Sequence, residues 1–349
     1  MLFYAKLVYL YDMKRIFAPI IILMTSVLTA ACSGPGADRS CDPIRPDSLK
    51  PGDKVAIVSP SYWMPDTTLQ RALNVLRSWG LEPVLGPNVG KMDDGPSPSD
   101  SASHYAGTLG ERVSDLKWAL ESDDVKAVIC TRGGYGAVHM LGQLPASTFR
   151  KNPKWLVGCS DITTFHAASV AAGVQSIHGP MCSAFARGEA PDSSCLVLRD
   201  LLMGKPCDYM VEPHPGNVHG SAEGLLVGGN FITFEALFGT EWDFLNAGDD
   251  LILFIEEVGE TMHAIDRLFN VLVHQKGFSN VRGIVFGDFT ECPTDLPYAD
   301  MEDLLSRYVA DLGIPVCFGF QGGHGKVNLP LVEGSRVNLE VGSQGSRIW

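Results

Sequence analysis

Short apolar runs alternate with amphipathic-helix patterns along the first half of the chain. Runs bounded by glycine or proline predict buried strands, whereas apolar residues spaced three and four positions apart predict helices that pack along one face. Such alternation is typical of a parallel, doubly wound α/β sheet, which binds ligands at the carboxyl edge of its strands. The predicted strands are 52–60, 82–85, 125–130, 155–158 and 174–177, and the predicted helices are 69–79, 112–120, one ending near Leu141, and 162–172.

After about Ser193 the pattern changes to short strands with fewer helices between them. Frequent glycines in the tail are typical of strands joined by tight turns. We therefore predict an α/β fold class in two parts: an N-terminal parallel, doubly wound sheet domain at 51–190, and a C-terminal β-rich domain at 210–349 with mixed α+β, barrel-like character. The predicted elements of the second part are strands at 224–230, 250–256 and 283–287, a helix at 261–275, and strands and turns from 315 to 348.

The N-terminus has the pattern of an export signal. Lys14 and Arg15 precede an uncharged run at 16–31, which ends in small residues directly before Cys32. A basic region, an apolar region and small residues before a cleavage point are the parts of a secretory signal. Because a cysteine follows, the segment is similar to a bacterial lipoprotein signal, in which that cysteine is lipidated. We predict a signal peptide at 1–32, with an uncleaved anchor helix as the alternative.

A tether is predicted after the signal, because residues 33–50 are rich in Ser, Gly, Pro and Asp. The mature protein would then lie outside the cytoplasm, on the periplasmic or cell-envelope side, held to a membrane through a lipid on Cys32. Met13 is a better start for such a signal than Met1, since two basic residues follow it directly.

Composition narrows the class of protein. The 349 residues carry a formal net charge of −13 and no basic stripe, so a nucleic-acid partner is not expected. A hydrophobic content of 45% is that of a globular protein with a sizeable core.

None of the nine cysteines has zinc-site spacing, and we expect neither a metal nor another cofactor. Cys130, Cys159 and Cys317 lie in apolar runs and are interpreted as small buried residues.

Ser160 is the leading candidate for chemistry. It lies in a Gly-Cys-Ser-Asp motif at 158–161, directly after the apolar run 155–157, where a small residue two positions before the serine permits a sharp strand-to-helix turn. The helix that follows would direct its N-terminal N–H groups at charge developing on the serine. Ile162 stands where the usual α/β-hydrolase elbow has a second glycine. The alternative is a helix N-cap, with Asp161 in the first turn.

Two later segments supply an acid and a base. Glu256 ends a strongly apolar strand, where a buried carboxylate needs a partner such as a histidine N–H. His324 lies among the glycines at 322–325, which leave its side chain free to reach across a cleft. A serine, a base and an orienting carboxylate are the minimum set for nucleophilic hydrolysis. The alternatives are a solvent-exposed loop for His324, a lysine or arginine partner for Glu256, and Glu257 as the competing acid.

A glycine-rich loop, Arg-Gly-Gly-Tyr-Gly at 132–136, follows a predicted strand. Adjacent glycines let backbone N–H groups turn toward a ligand, so the N–H groups near Gly134 and of Asp161 could form an oxyanion hole, with a plain tight turn as the alternative. Arg132 is a candidate for binding a terminal carboxylate. His178, at a strand end before Gly-Pro, is a candidate turn or substrate-lining residue.

Six segments, each modest alone, form an ordered set: 52–60, Arg132-Gly133-Gly134-Tyr135-Gly136, Gly158-Cys159-Ser160-Asp161-Ile162-Thr163, His178-Gly179-Pro180, Phe254-Ile255-Glu256-Glu257 and Gly323-His324-Gly325. Together they resemble the LD-carboxypeptidase family of serine peptidases, which includes muramoyltetrapeptide carboxypeptidases and microcin-immunity peptidases. The resemblance extends over roughly residues 47–340. One departure is Cys159, since the residue before the family serine is commonly aromatic.

The resemblance implies Ser160 as nucleophile, His324 as base and Glu256 as acid. It also implies an oxyanion hole from backbone N–H groups near Gly134 and of Asp161, and a protein that is often a homodimer. The function predicted on this basis is a serine LD-carboxypeptidase, without a metal, that hydrolyses the bond before the C-terminal D-amino acid of a murein tetrapeptide.

Two other functions stay open at this stage. One is a microcin-like peptidase that cleaves amide or peptide substrates in detoxification. The other is a non-catalytic periplasmic lipoprotein that binds peptides in the cleft between the two parts. A serine, an acid and a base present together favour an enzyme, because a binding protein has no need for all three. Murein peptide is the expected substrate, since an exported protein meets peptidoglycan directly.

Overall fold

A computed structural model of the chain describes residues 43–93, 104–188 and 192–349. The predicted signal peptide at 1–32, with Cys32, lies outside the described residues, as does the predicted tether up to residue 42. Within the described ranges, no helix is long and apolar enough to cross a membrane.

Strands and helices of the described residues form two sheets and the layers that cover them. The strands are β1 (Lys54–Val58), β2 (Glu82–Leu85), β3 (Val125–Cys130), β4 (Trp155–Gly158), β5 (Ser176–His178), β6 (Tyr209–Val211), β7 (Gly220–Asn230), β8 (Leu251–Val258), β9 (Val281–Thr290), β10 (Val316–Cys317), β11 (Leu331–Glu333), β12 (Arg336–Gly342) and β13 (Gly345–Ile348). The α-helices are α1 (Asp66–Ser78), α2 (Leu109–Glu121), α3 (Ala146–Arg150), α4 (Thr163–Ala171), α5 (Cys182–Phe185), α6 (Ser193–Leu202), α7 (Phe231–Glu235), α8 (Met262–Val273) and α9 (Met301–Val309).

The first sheet has the strand order β11-β5-β4-β3-β1-β2. Its strands β1 to β5 run parallel, and β11 is added antiparallel beside β5. Strands β2, β3 and β4 begin and end at the predicted residues. The parallel α/β fold predicted for the N-terminal part is therefore confirmed.

Helices cover both faces of this sheet. Val128 and Cys130 of β3 belong to a buried cluster with residues of α2 and α4, whereas Ala127 and Ile129 belong to another cluster with residues of α1 and α6. Successive side chains of a strand point to opposite faces, so a strand covered on both sides is apolar throughout. This arrangement explains why the first-half strands are continuous apolar runs.

The second sheet has the strand order β10-β9-β8-β7-β12-β13-β6. The four strands from β10 to β7 are parallel, and the neighbours from β7 through β12 and β13 to β6 are antiparallel. An isolated antiparallel bridge joins Val218, shortly after β6, to Val316 at the opposite edge of the sheet. The C-terminal part is thus a mixed, β-rich sheet, as predicted.

Several elements escaped the sequence interpretation. Helices α6 and α9 begin at aspartate N-caps, because Asp192 accepts the Cys195 N–H at 3.0 Å and Asp300 accepts the Asp303 N–H at 2.9 Å. The sequence pattern predicts β11 as part of the C-terminal region, yet this strand completes the first sheet beside β5. The predicted division of the chain between 190 and 210 stays a prediction.

Candidate active site

Ser160 lies on the turn that joins β4 to α4, at the carboxyl edge of the first sheet. A short 3-10 helix, Ser160–Ile162, directly precedes α4. The φ angle of Ser160 is 63°, in the left-handed region that residues with a side chain rarely adopt. Among the non-glycine residues of the described ranges, this feature is shared by Glu291 alone. The strained turn therefore marks Ser160 as a functional candidate.

Two glycines make room for this turn. A Cβ atom at Gly158 would lie 2.7 Å from Cγ2 of Ile162. Ile162 stands where the usual elbow has its second glycine and fills the space over Gly158, so a side chain at position 158 would clash with it. A Cβ atom at Gly133 would lie 2.8 Å from Cβ and 3.0 Å from Oγ of Ser160. The glycine-rich loop therefore touches the serine directly.

His324 and Glu256 form a hydrogen-bonded pair. Nδ1 of His324 lies 2.7 Å from Oε2 of Glu256, whose side chain is fully buried on β8. Burial lowers the pKa of His324, but the charge and the hydrogen bond of Glu256 outweigh it, and the pKa is raised above its ordinary value. Nε2 of His324 makes no hydrogen bond with a described residue, so it stays available to a reacting group.

Glycine lets the loop that carries His324 approach the buried acid. Gly323 has a φ of 117°, and a Cβ atom there would lie 2.6 Å from Oε2 of Glu256. The Gly323 N–H donates to Oδ1 of Asn328 at 2.9 Å, which closes the loop. The glycines around His324 thus serve close packing over the carboxylate rather than an exposed backbone.

Glu257 has different partners from Glu256. Its carboxylate accepts hydrogen bonds from Asn230 Nδ2, Val258 N and Ile232 N, each at 2.8 Å. Ile232 lies in the first turn of α7, where backbone N–H groups lack partners within the helix. Burial raises the pKa of Glu257 to about 7. The competing acid therefore stabilises a helix terminus, and Glu256 is the one that contacts His324.

The carboxylate of Asp161 links the serine turn to two neighbouring loops through hydrogen bonds. Its Oδ2 accepts hydrogen bonds from Ser61 Oγ at 2.5 Å and from the Ala137 N–H at 2.9 Å, and the residue is 5% exposed. Ala137 directly follows the glycine-rich loop. The Gly134 N–H makes no hydrogen bond with any residue that the structure describes. The backbone proposed for an oxyanion hole is thus held in place, with one donor free.

One cleft brings these groups together. It has a volume of about 540 Å³, and its lining includes Ser160, Gly134 and His324. Loops and helix ends of the first part line one side, and the 323–328 loop with Val258 of β8 lines the other. Among the described residues, no group of three or more His, Cys, Asp or Glu side chains could hold a metal ion.

The two predicted substrate-binding residues have different surroundings. Arg132 lines the cleft, and its guanidinium lies 5.8 Å from the ring centre of Tyr62. His178 is fully buried on β5, in register with Gly158 of β4, and does not line the cleft. The His178 ring packs against Phe254, with the ring centres 5.0 Å apart. The structure thus brings Arg132, and not His178, to the cleft.

The sequence interpretation missed a buried histidine behind the serine turn. In α4, Nε2 of His166 lies 2.9 Å from the Gly158 carbonyl oxygen, and Nδ1 lies 2.8 Å from Ser176 Oγ. Burial lowers the pKa of His166 to about 4, so the ring is neutral and Nε2–H donates to the carbonyl. The available signal is a histidine in a helix whose other residues are apolar or carry a small hydroxyl. Sequence interpretation also missed the cleft residues Arg187, Lys326 and Asn328.

The first sheet presents a serine on a strained turn, and the second, mixed sheet supplies a histidine–glutamate pair. This is the architecture of a two-part serine hydrolase. Residues 55–179 match the LD-carboxypeptidase N-terminal domain, and residues 223–339 match the LD-carboxypeptidase C-terminal domain. The chain therefore belongs to the LD-carboxypeptidase family and is a serine carboxypeptidase. The resemblance predicted from the motifs is confirmed.

Relatives and solved structures agree with this assignment. A putative carboxypeptidase from Synechocystis is 35% identical, over 85% of this chain and 94% of the relative. The murein tetrapeptide carboxypeptidase of Pseudomonas aeruginosa is 28% identical, over 88% of this chain and 97% of the relative. The crystal structure of a muramoyltetrapeptide carboxypeptidase from Oxalobacter formigenes has a TM-score of 0.72 and 29% identity, covering 84% of this chain and 97% of that one. Microcin C7 self immunity protein (TM-score 0.74, 23% identity, 88% and 98% covered) shares the fold.

Proposed function

We propose that this serine carboxypeptidase is an LD-carboxypeptidase that removes the C-terminal D-amino acid of a murein tetrapeptide. The observation that carries the proposal is the buried Glu256 bonded to Nδ1 of His324, whose ring shares one cleft with Ser160. The names of the relatives from Pseudomonas aeruginosa and Oxalobacter formigenes support the choice of substrate.

In the first step, Nε2 of His324 takes the proton from Oγ of Ser160, and Oγ attacks the carbonyl carbon before the terminal residue. The negative charge that develops on the carbonyl oxygen is stabilised by the backbone N–H groups of Gly134 and Asp161. Each such donor contributes about 3 kcal/mol in comparable sites. Glu256 holds the Nδ1–H tautomer and stabilises the ring once it is protonated.

In the second step, the protonated His324 gives its proton to the leaving amine, and the D-amino acid departs. The acyl group stays on Ser160 until a water molecule, deprotonated by the same ring, attacks it and releases the shortened peptide. The terminal carboxylate of the substrate needs a cationic partner, and Arg132 lines the cleft for this purpose.

The decisive experiment is release of D-alanine from purified murein tetrapeptide by the full chain, with wild type beside Ser160→Ala. Release by wild type alone supports the substrate, the bond and the nucleophile together. Equal release by both proteins contradicts Ser160 as nucleophile. No release by wild type contradicts the murein substrate and favours the amide-cleaving alternative, for which peptide–nucleotide conjugates are the next substrates.

A further inference from the structure

The cleft is lined by more positive than negative charge, although the chain as a whole has a net charge of −13. Arg132, Arg187 and Lys326 line it, and among the described lining residues Asp192 is the one acid. A cluster of this sign in an acidic protein favours anionic ligands, because a cleft with low-dielectric walls focuses the field of its charges.

The single acid does not neutralise these cations. Oδ1 of Asp192 accepts hydrogen bonds from Ser194 Oγ at 2.5 Å and from the Cys195 N–H at 3.0 Å. It is therefore committed to the N-terminus of α6, whose dipole also stabilises its charge.

Arg187 and Lys326 have no partner among the residues that the structure describes. Both are exposed, and neither side chain makes a hydrogen bond or an ion pair there. Other exposed arginines, such as Arg282 and Arg347, pair with aspartates at 2.8 Å. Arg187 follows α5 in the first part, whereas Lys326 is two residues after His324 in the second. Each wall of the cleft thus presents a cation that has no partner among the described residues.

A carboxypeptidase releases one residue, and a simple D-amino acid such as D-alanine contributes a single carboxylate. Arg132 suffices for that group, so two cations remain for the part of the substrate that stays on the serine. We propose that Arg187 and Lys326 form a second carboxylate subsite, which selects peptides with a free carboxylate on the acyl side of the scissile bond. This inference rests on the proposed function. An amidated peptide has lost that charge and leaves both cations unpaired.

The test uses the full chain with Ser160→Ala, so that binding is measured without turnover. Titration calorimetry compares two tetrapeptides that differ only in whether one acyl-side carboxylate is free or amidated. We expect the free carboxylate to bind about ten-fold more tightly, as one charged hydrogen bond allows. Adding Arg187→Met or Lys326→Met should reduce this ratio toward one. Arg267→Met, an exposed arginine of α8 outside the cleft lining, is the matched control and should leave the ratio unchanged.

Equal binding of the two peptides, or a ratio that neither cleft variant changes, would overturn the subsite. Turnover by the wild-type chain is measured separately, so the two proposals can fail independently. Binding preference without D-alanine release supports the subsite and contradicts the proposed function. Release without a binding preference supports the proposed function and contradicts the subsite. A failure of both peptides to bind, together with no release by the wild-type chain, contradicts both proposals.

Discussion

The charge beside His324 controls when that ring can accept a proton. Glu256 lies 2.7 Å from Nδ1 and stabilises the protonated ring, so the pKa of His324 is raised above its ordinary value although burial opposes this. A general base must be neutral before it can act. We therefore expect kcat/KM to rise with pH through a midpoint above that of an ordinary histidine, about 6.5.

Glu256→Gln should keep the shape of the site and remove the charge. The pKa of His324 then falls, so the midpoint of the pH profile moves to lower pH. We expect kcat to fall by about 10³–10⁴-fold, as for an orienting carboxylate replaced by its amide in another serine protease. Profiles of kcat/KM against pH for wild type and variant measure both effects.

The matched control is the adjacent acid. Glu257→Gln disturbs three hydrogen bonds of 2.8 Å at α7 and should lower the melting temperature. Its effect on the pH midpoint should be smaller, since Glu257 contributes less than Glu256 to the raised pKa of His324. A midpoint shift as large as that of Glu256→Gln would count against Glu256 as the orienting acid.

At the scale of the elements, hydrogen bonds and close packing hold β4, the serine turn and α4 together. The Gly158 carbonyl accepts hydrogen bonds from the Gly179 N–H and from His166 Nε2, each at 2.9 Å. Ile162 packs over Gly158 from the other end of the turn. Strain such as the φ of 63° at Ser160 persists only where the surroundings over-determine the backbone. The packing of these elements therefore stabilises the position of the candidate nucleophile.

Gly133→Ala tests the contact between the glycine-rich loop and the serine. The added methyl group would lie 3.0 Å from Ser160 Oγ, so the hydroxyl must move. A displacement of about 1 Å can cost on the order of 10²-fold in rate. Gly142→Ala is the control, because no atom lies within 4 Å of a Cβ built there. The measurements are kcat and the melting temperature of both variants. If the kcat of Gly133→Ala equals that of Gly142→Ala, the contact between the loop and the serine is contradicted.

His166→Phe tests the support behind the turn. The loss of two buried hydrogen bonds should destabilise the fold by about 1–3 kcal/mol. Because burial lowers the pKa of His166 to about 4, the unfolded chain binds a proton that the folded chain does not, and wild-type stability falls between about pH 6.5 and 4. Urea unfolding at several pH values should show a weaker decline in the variant. An unchanged decline would show that His166 is not buried as a neutral ring.

The whole molecule assembles its site from both sheets. Ser160 and the glycine-rich loop belong to the first part, whereas Glu256 and His324 come from the second. The two are joined close to the site, since the Asn230 N–H at the end of β7 donates to Thr163 Oγ1 at the start of α4 at 3.0 Å. Each part alone therefore holds only half of the proposed chemistry.

Patterns that span a few residues predicted much of this molecule. The strands β2, β3 and β4, the sharp turn at Ser160 and the acid at the end of an apolar run are local features, so periodicity and glycine spacing are enough to find them, although β8 extends two residues beyond Glu256. The pairing of β11 with β5 and the choice between Glu256 and Glu257 depend on residues far apart in the chain. The contact of His166 with Gly158 depends on how α4 packs against β4. Local patterns carry no information about such contacts, and the structure was needed.

The predicted lipid anchor on Cys32 can be tested on the full chain. If Cys32 carries a lipid, the full chain expressed in a bacterial host should incorporate labelled palmitate and fractionate with membranes. Cys32→Ser should abolish the label, because the acceptor thiol is lost. Cys41→Ser should keep it, since that cysteine follows the charged pair Asp38-Arg39 rather than an uncharged apolar run. Membrane association without label in any of the three proteins would favour an uncleaved anchor helix, and equal labelling of both variants would contradict lipidation at Cys32.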